Sequence, residues 1–248
     1  MKINNLTINI LYILQIMSND RSEVFKLYLY IYQSRCNILG MLKTRGFDTS
    51  DYSNYTTIEI KEMLIQQQNG KFETSHEVGP LDIYLKNDSG NSIFIKYRLE
   101  DKFKKTENLT SQINKIYDKT LKQNDTLIIL YISRIISKIG VKDINNMKDI
   151  YVNNIYANSG YFVQLYGLEN FLINFSNHQF VPKHSIINKD ELQKIVKKYN
   201  IDDINNLPII KLNDVQAKYI GLRLNQVCKI TYSNITSGVN VKYKICKL

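Results

Sequence analysis

The sequence predicts an α+β protein in two parts: an α/β layer domain over residues 25–175, preceded by an extension at 1–24, and a small α+β domain with a mainly antiparallel sheet over 176–248. Three observations predict it. Apolar residues recur every three or four positions in some stretches and form strand-like runs in others, so helices and strands alternate along the front of the chain. Around Phe171 to Pro182 the pattern changes and a second, smaller set of elements begins. Of the 248 residues, 44% are hydrophobic and 23% charged, enough apolar side chain to fill a core, while 3 Pro and 10 Gly exclude collagen-like and Pro-rich linker classes.

From Glu23 to Lys43, the positions Phe25, Leu29, Tyr32, Cys36, Leu39 and Leu42 make one buried stripe of a helix that Gly46 ends. Thr56 and Glu59 form a capping-box pattern that opens a second helix through Ile60, Met63 and Leu64, stopped at Asn69-Gly70. Leu81 to Leu85 and Ile93 to Arg98 read as two strands of a hairpin, joined by the polar segment 86–91. Leu109, Ile113, Ile116, Tyr117 and Leu121 mark another helix. The solid apolar run from Thr126 to Ile132 reads as a strand covered on both faces.

In the smaller domain, Asn188 and Glu191 cap a helix with Leu192, Ile195, Val196 and Tyr199 on one face. Val227 to Tyr232 and Val239 to Ile245 are strands. In the last one Val239, Val241, Tyr243 and Ile245 alternate with Asn240, Lys242 and Lys244, which predicts one core face and one basic face.

The formal charge is +10, and residues 178–248 hold 12 Lys and Arg against 5 Asp and Glu, so most of the excess lies in the carboxyl-terminal part. A basic module of this kind can track phosphates, and it is equally what a soluble Lys-rich surface looks like. Three cysteines, Cys36, Cys228 and Cys246, without C-x-x-C spacing argue against zinc and against a disulfide framework, and imply a reducing compartment. The apolar start from Leu6 to Met17 is broken by Asn9 and Gln15, lacks a cleavage motif and is shorter than the roughly 20 residues a bilayer requires, so it is expected to be a packed extension.

Gly79-Pro80-Leu81-Asp82 followed by Phe94-Ile95-Lys96 resembles the PD-(D/E)xK nuclease signature. That chemistry needs two carboxylates around a hard cation, and Phe94 stands where the second would be, so no catalytic residue is expected. Asp82 and Lys96 are then ordinary polar residues of a hairpin. His76, His178 and His184 have neither helix spacing nor a neighbouring Cys, no Gly-rich phosphate loop is present, and no metal or other cofactor is expected.

The smaller domain carries a further resemblance. His178-Gln179-Phe180-Val181-Pro182-Lys183-His184, then Leu207-Pro208-Ile209-Ile210, Asp214 with Ala217-Lys218-Tyr219-Ile220-Gly221, Gln226-Val227-Cys228-Lys229-Ile230, and Ser237-Gly238 before Tyr243 resemble the assembly domain of the fifth common subunit of eukaryotic RNA polymerases. The archaeal counterpart in that family consists of this domain alone. Met41-Leu42-Lys43-Thr44-Arg45-Gly46-Phe47 and Leu127 to Ile132 look like parts of that family's amino-terminal jaw, a domain of nuclease-like topology without activity. Asp214-Val215-Gln216-Ala217-Lys218-Tyr219 and Ser233 to Gly238 depart from the family's usual wording.

The resemblance implies a non-catalytic subunit of a multisubunit DNA-directed RNA polymerase, with no membrane partner. Its assembly domain would dock on the largest subunit, with other polymerase subunits in the complex. The implied contact residues are His178, Val181, Pro182, His184, Pro208, Asp214, Tyr219, Gly221, Gln226, Val227, Lys229, Gly238 and Tyr243. The jaw would lie near downstream duplex DNA, with Arg134 and Lys138 on its backbone. The Ile, Asn and Lys bias leaves open a large cytoplasmic DNA virus, working in virion and host cytoplasm, or a protist nucleus. Two other classes stand beside this one: a free-standing basic nucleic-acid-binding protein and a Mg²⁺-dependent nuclease.

Overall fold

Helix α1 (Glu23–Thr44) forms over the stretch the periodicity marks, and Leu39 and Leu42 of the marked stripe are buried, but the rest of the buried face is shifted from it. Leu27, Ile31, Ile38, Met41 and Leu42 point inward together with Ser34 and Arg35, while Cys36 is exposed and Leu29 and Tyr32 are half-buried. Arg35 explains the rotation. Its guanidinium donates to the Leu81 carbonyl at 2.7 Å and lies 5.6 and 5.4 Å from the ring centres of Tyr52 and Tyr55, so a charged side chain is drawn into the interior. The computed structural model from which these positions come describes residues 23–70, 77–99, 106–131, 152–234 and 238–248. The chain divides into two compact units, 1–173 and 174–248.

In the first unit, α2 (Thr57–Asn69) opens with the expected capping box: the Glu59 N–H donates to Thr56 Oγ1 at 3.3 Å and the Thr56 N–H to Glu59 Oε2 at 2.6 Å. The hairpin of β1 (Ile83–Lys86) and β2 (Ser92–Arg98) is antiparallel with Ile83 opposite Ile95, and Gly90 takes a φ of +78° in its turn. β2 then pairs in parallel with β3 (Thr126–Tyr131), and β3 in parallel with β4 (Phe162–Gly167), giving the order β1-β2-β3-β4. Helix α3 (Thr106–Lys119) lays Leu109, Ile113 and Ile116 against Phe94, Leu127, Ile129, Val163 and Leu165. The flanking pairings account for the apolar run of β3: it sits between two strands and is covered on both faces.

The sequence reading contained neither β4 nor the helical residues 152–159. Gln164 interrupts the β4 pattern, yet it is buried, and its side-chain oxygen accepts from Arg45 Nη2 at 2.9 Å.

The second unit is a sheet in the order β5-β7-β8-β6, with two antiparallel pairings and one parallel one. Its strands are β5 (Lys183–Ile186), β6 (Ile209–Lys211), β7 (Val227–Asn234) and β8 (Gly238–Lys247). Helix α4 (Lys189–Tyr199), capped by the Asn188 side chain as expected, packs Ile195 and Leu192 with Ile187, Val227 and Tyr243. A short helix, α5 (Val215–Ile220), follows β6.

The expected core face of β8 holds at Ile245 and fails at Val239, which is 70% exposed. The cause is strand length. β5 stops pairing with β7 at Thr231, and β6 pairs with β8 only over Ile245–Lys247, so the far half of the β7–β8 ribbon runs past its neighbours.

Candidate functional site

The fold brings Asp82 and Lys96 of the nuclease-like wording together. The turn Gly79-Pro80-Leu81 delivers Asp82 to the start of β1, beside Lys96 of β2, and the Lys96 ammonium lies 2.8 Å from Asp82 Oδ2. The same oxygen accepts from the Gly79 N–H at 2.8 Å. Oδ1 accepts from the Tyr97 N–H at 2.9 Å and from Gln67 Nε2 at 3.4 Å. Lys96 also donates to the Glu77 carbonyl at 2.8 Å. Both side chains are buried, which corrects the expectation of two ordinary hairpin polar groups.

Burial pushes the Asp82 carboxyl above its usual range, against the opposing pull of the Lys96 charge and the Tyr97 and Gly79 N–H groups. A Cβ at Gly79 would run into the Gln67 amide, so the turn admits no larger residue there without displacing that side chain. Phe94 is fully buried in the cluster under α3. The carboxylate oxygens are thus filled by protein donors and the neighbouring face is apolar, an arrangement that does structural work. Among the described residues, no cluster of three His, Cys, Asp or Glu could hold a metal ion.

In the second unit the residues implied as contacts separate by physical role. Val227, 2% exposed, packs with Ile187 and Ile195, so its side chain is spent on the core. Asp214 is the N-cap of α5, its carboxylate accepting from the N–H groups of Gln216 and Ala217 at 2.8 and 3.1 Å. Gly221 ends the same helix at a φ of +72°, and Gly238 starts β8 at +71°, both in the region that favours glycine. Gln226 caps a turn by accepting from the Arg223 N–H at 2.8 Å. The Pro208 carbonyl accepts from the Ile245 N–H at 2.9 Å and so joins β6 to β8.

The remaining contact candidates sit at or near the surface. His178 is exposed with its ring 5.4 Å from that of Phe180. Val181 and Pro182 are half-buried, and the Pro182 carbonyl lies 2.7 Å from His184 Nδ1. The Tyr219 hydroxyl accepts from Asn174 Nδ2 at 3.4 Å, and Ser176 Oγ donates to Gln216 Oε1 at 3.2 Å, so the segment 174–176 is tied to α5. Lys229 Nζ meets Glu191 Oε1 at 3.0 Å, and Tyr243 packs 6.1 Å from the Tyr199 ring. Arg134 and Lys138 lie outside the described residues.

Sequence reasoning named Phe180 and Val215 only within the family wording and did not place them at the surface, where Phe180 is 81% exposed and Phe175 and Val215 are also exposed. An aromatic run without helical or strand period was the available signal. Exposed apolar and aromatic groups of this kind are what a docking surface requires.

The fold and these sites define a class: an α/β layer unit holding a buried Asp82–Lys96 ion pair, followed by a small, Lys-rich α+β unit that leaves Phe175, Phe180 and Val215 exposed. Residues 173–246 match the family described as RNA polymerase Rpb5, C-terminal domain. The resemblance to the fifth common polymerase subunit seen in the sequence is thereby borne out. The chain is 26% identical over 230 residues to the DNA-directed RNA polymerases IV and V subunit 5B of Arabidopsis thaliana, covering 92% of this chain and 93% of that one. It is 36% identical over 75 residues to the DNA-directed RNA polymerases I, II, and III subunit rpabc1 of Dictyostelium discoideum, covering 30% of this chain and 38% of that one. To the DNA-directed RNA polymerase V subunit 5C of Arabidopsis thaliana it is 35% identical over 82 residues, covering 33% of this chain and 35% of that protein.

Proposed function

We propose that this chain is a non-catalytic subunit of a multisubunit DNA-directed RNA polymerase. The observation that carries the reading is the family match over residues 173–246, continued by a likeness that runs through 92% of the chain to a polymerase subunit. In this reading, residues 176–248 are the assembly domain and dock on the largest polymerase subunit. The apolar groups around α5, with His178, Phe180 and Tyr219, are the centre of that contact. Docking of this permanent kind buries on the order of 2,000 Å² or more.

Residues 25–175 are the jaw, of nuclease-like topology and without activity, reaching towards downstream duplex DNA. The closed Asp82–Lys96 pair supports the inactive half of that statement, because a carboxylate held by four donors has no lone pair to offer a cation. Arg134 and Lys138 hold the duplex backbone, where contacts position the protein without reading sequence. The site of action is the site of transcription.

Purifying the tagged chain under mild conditions and identifying its companions by mass tests the assignment. Copurification with the largest polymerase subunits is expected. A chain that comes alone and binds DNA or RNA tightly by itself would favour the basic nucleic-acid-binding class. Arg134→Ala with Lys138→Ala should weaken the holding of DNA by the whole polymerase uniformly across sequences and lessen its salt slope; an unchanged slope removes these two residues from the duplex contact.

A further inference from the structure

Among the described residues, the outer edge of β8 before Ile245 has no pairing strand. At its end, the Cys246 N–H donates to the Gln226 carbonyl on the β7 side, while the Ile245 N–H donates to Pro208 and the Lys247 carbonyl accepts from the Leu212 N–H on the β6 side. In an antiparallel strand each residue directs both its N–H and its C=O to one side, and the side alternates. Even-numbered residues of β8 therefore bond to β7, and odd-numbered ones face outward.

β6 takes the outward groups only from Ile245 onward. The N–H and C=O groups of Val239, Val241 and Tyr243 continue the same line, and among the described residues no strand pairs with them. Side chains along this edge alternate as sharply as the backbone. Val239, Val241 and Tyr243 stand on one face, and Asn240, Lys242 and Lys244 on the other.

We propose that this edge, from Val239 to Lys244, is a strand-addition site for an extended segment of another protein that alternates apolar and acidic residues. Its backbone would complete the ladder in line with β6. Its apolar side chains would cover Val239 and Val241, and its carboxylates would face Lys242 and Lys244. Charge decides between occupants. In the antiparallel register that pairs all three outward residues with a second copy, Val241 faces Val241, Lys242 faces Asn240 and the two Lys242 side chains lie diagonally across the pair, so a copy adds like charge and brings no carboxylate to the lysines. A nucleic acid strand would meet the ammonium groups but would leave the three outward carbonyls without donors, since its backbone offers phosphate acceptors. This site is argued from the chain's own edge and stands independently of polymerase membership.

The test uses the full chain and, as probe, a synthetic peptide alternating valine with glutamate, followed by fluorescence anisotropy and by amide exchange at Val239, Val241 and Tyr243. Binding with slowed exchange at those three amides is expected. Val241→Pro should weaken it about tenfold or more, since it removes an outward donor while sparing the β7 ladder. Unchanged thermal unfolding of that variant shows that the sheet is kept. Lys242→Glu with Lys244→Glu, which leaves the backbone untouched, should weaken binding by a similar factor. The proposal is overturned if the glutamate peptide does not bind, if a valine–lysine peptide binds equally well, if neither variant weakens binding, or if a single-stranded oligonucleotide displaces the peptide from the edge.

Discussion

Asp82 and Lys96 meet at 2.8 Å inside the amino-terminal unit, each side chain shielded from water. Each neutralises the other, so removing either leaves a buried charge or its unmatched donors. Asp82→Asn and Lys96→Met are each expected to cost about 3–5 kcal/mol, read as a lowered urea midpoint, because breaking one side of a buried pair costs more than exchanging both. The double variant should recover much of that loss. A single variant that unfolds at the parent midpoint would show that the pair is not a structural support.

Phe94 belongs to the core beneath α3, and its position is where a second metal-binding carboxylate would be needed. Phe94→Ala is expected to lose about 3–5 kcal/mol through the cavity it leaves. Phe94→Glu buries a carboxylate among Leu109, Ile113 and Leu127, so it should destabilise the unit further without creating a metal site. Plasmid nicking with Mg²⁺ checks this: neither the parent chain nor Phe94→Glu should cut.

The capping box at the head of α2 is local and nearly independent of the core. Thr56→Ala should cost about 1 kcal/mol in denaturant unfolding, since the Glu59 N–H loses its acceptor at the helix start. No measurable change would mean that the α2 end frays in solution.

Cys228 and Cys246 are buried, and burial holds both thiols at a pKa of about 11 against an ordinary 9.0. An acid whose folded-state pKa is raised keeps its contribution below the unfolded pKa and loses it as pH climbs towards the folded one. Stability of the carboxyl-terminal unit should therefore be level below about pH 9 and decline towards about pH 11. A maleimide at pH 8 should label exposed Cys36 first and reach the other two only as the unit opens. Equal labelling of all three in native buffer would contradict the buried placement.

Lys229 and Glu191 form a partly exposed pair at 3.0 Å. Such pairs contribute about 0–1 kcal/mol, so Lys229→Met should barely move the unfolding midpoint. If Lys229 serves the polymerase contact, the same variant will be retained less well in the purified complex. Loss of stability without loss of retention would assign it to the sheet alone.

The elements carried by local chemistry were legible in the sequence. The Thr56–Glu59 box, the Asn188 cap and the hairpin over 83–98 each arise from residues close in the chain, and the solid apolar run at 126–131 marks its strand by composition alone. What was not legible depends on distant partners. The face of α1 turns inward on Arg35 because Leu81, Tyr52 and Tyr55 receive its guanidinium, and β4 admits Gln164 because Arg45 reaches it. Val239 follows the core alternation yet stands in water, because the neighbouring strands end before it. For the site, motif words located the carboxyl-terminal unit, but they could not tell that Val227 and Asp214 are spent on holding that unit together.

The native mass of the untagged chain in a gently prepared cell extract tests polymerase membership most directly. The chain should elute with the largest polymerase subunits at the size of a multisubunit assembly, and remain there through moderate salt. Elution as a monomer, with the polymerase intact in other fractions, would contradict it.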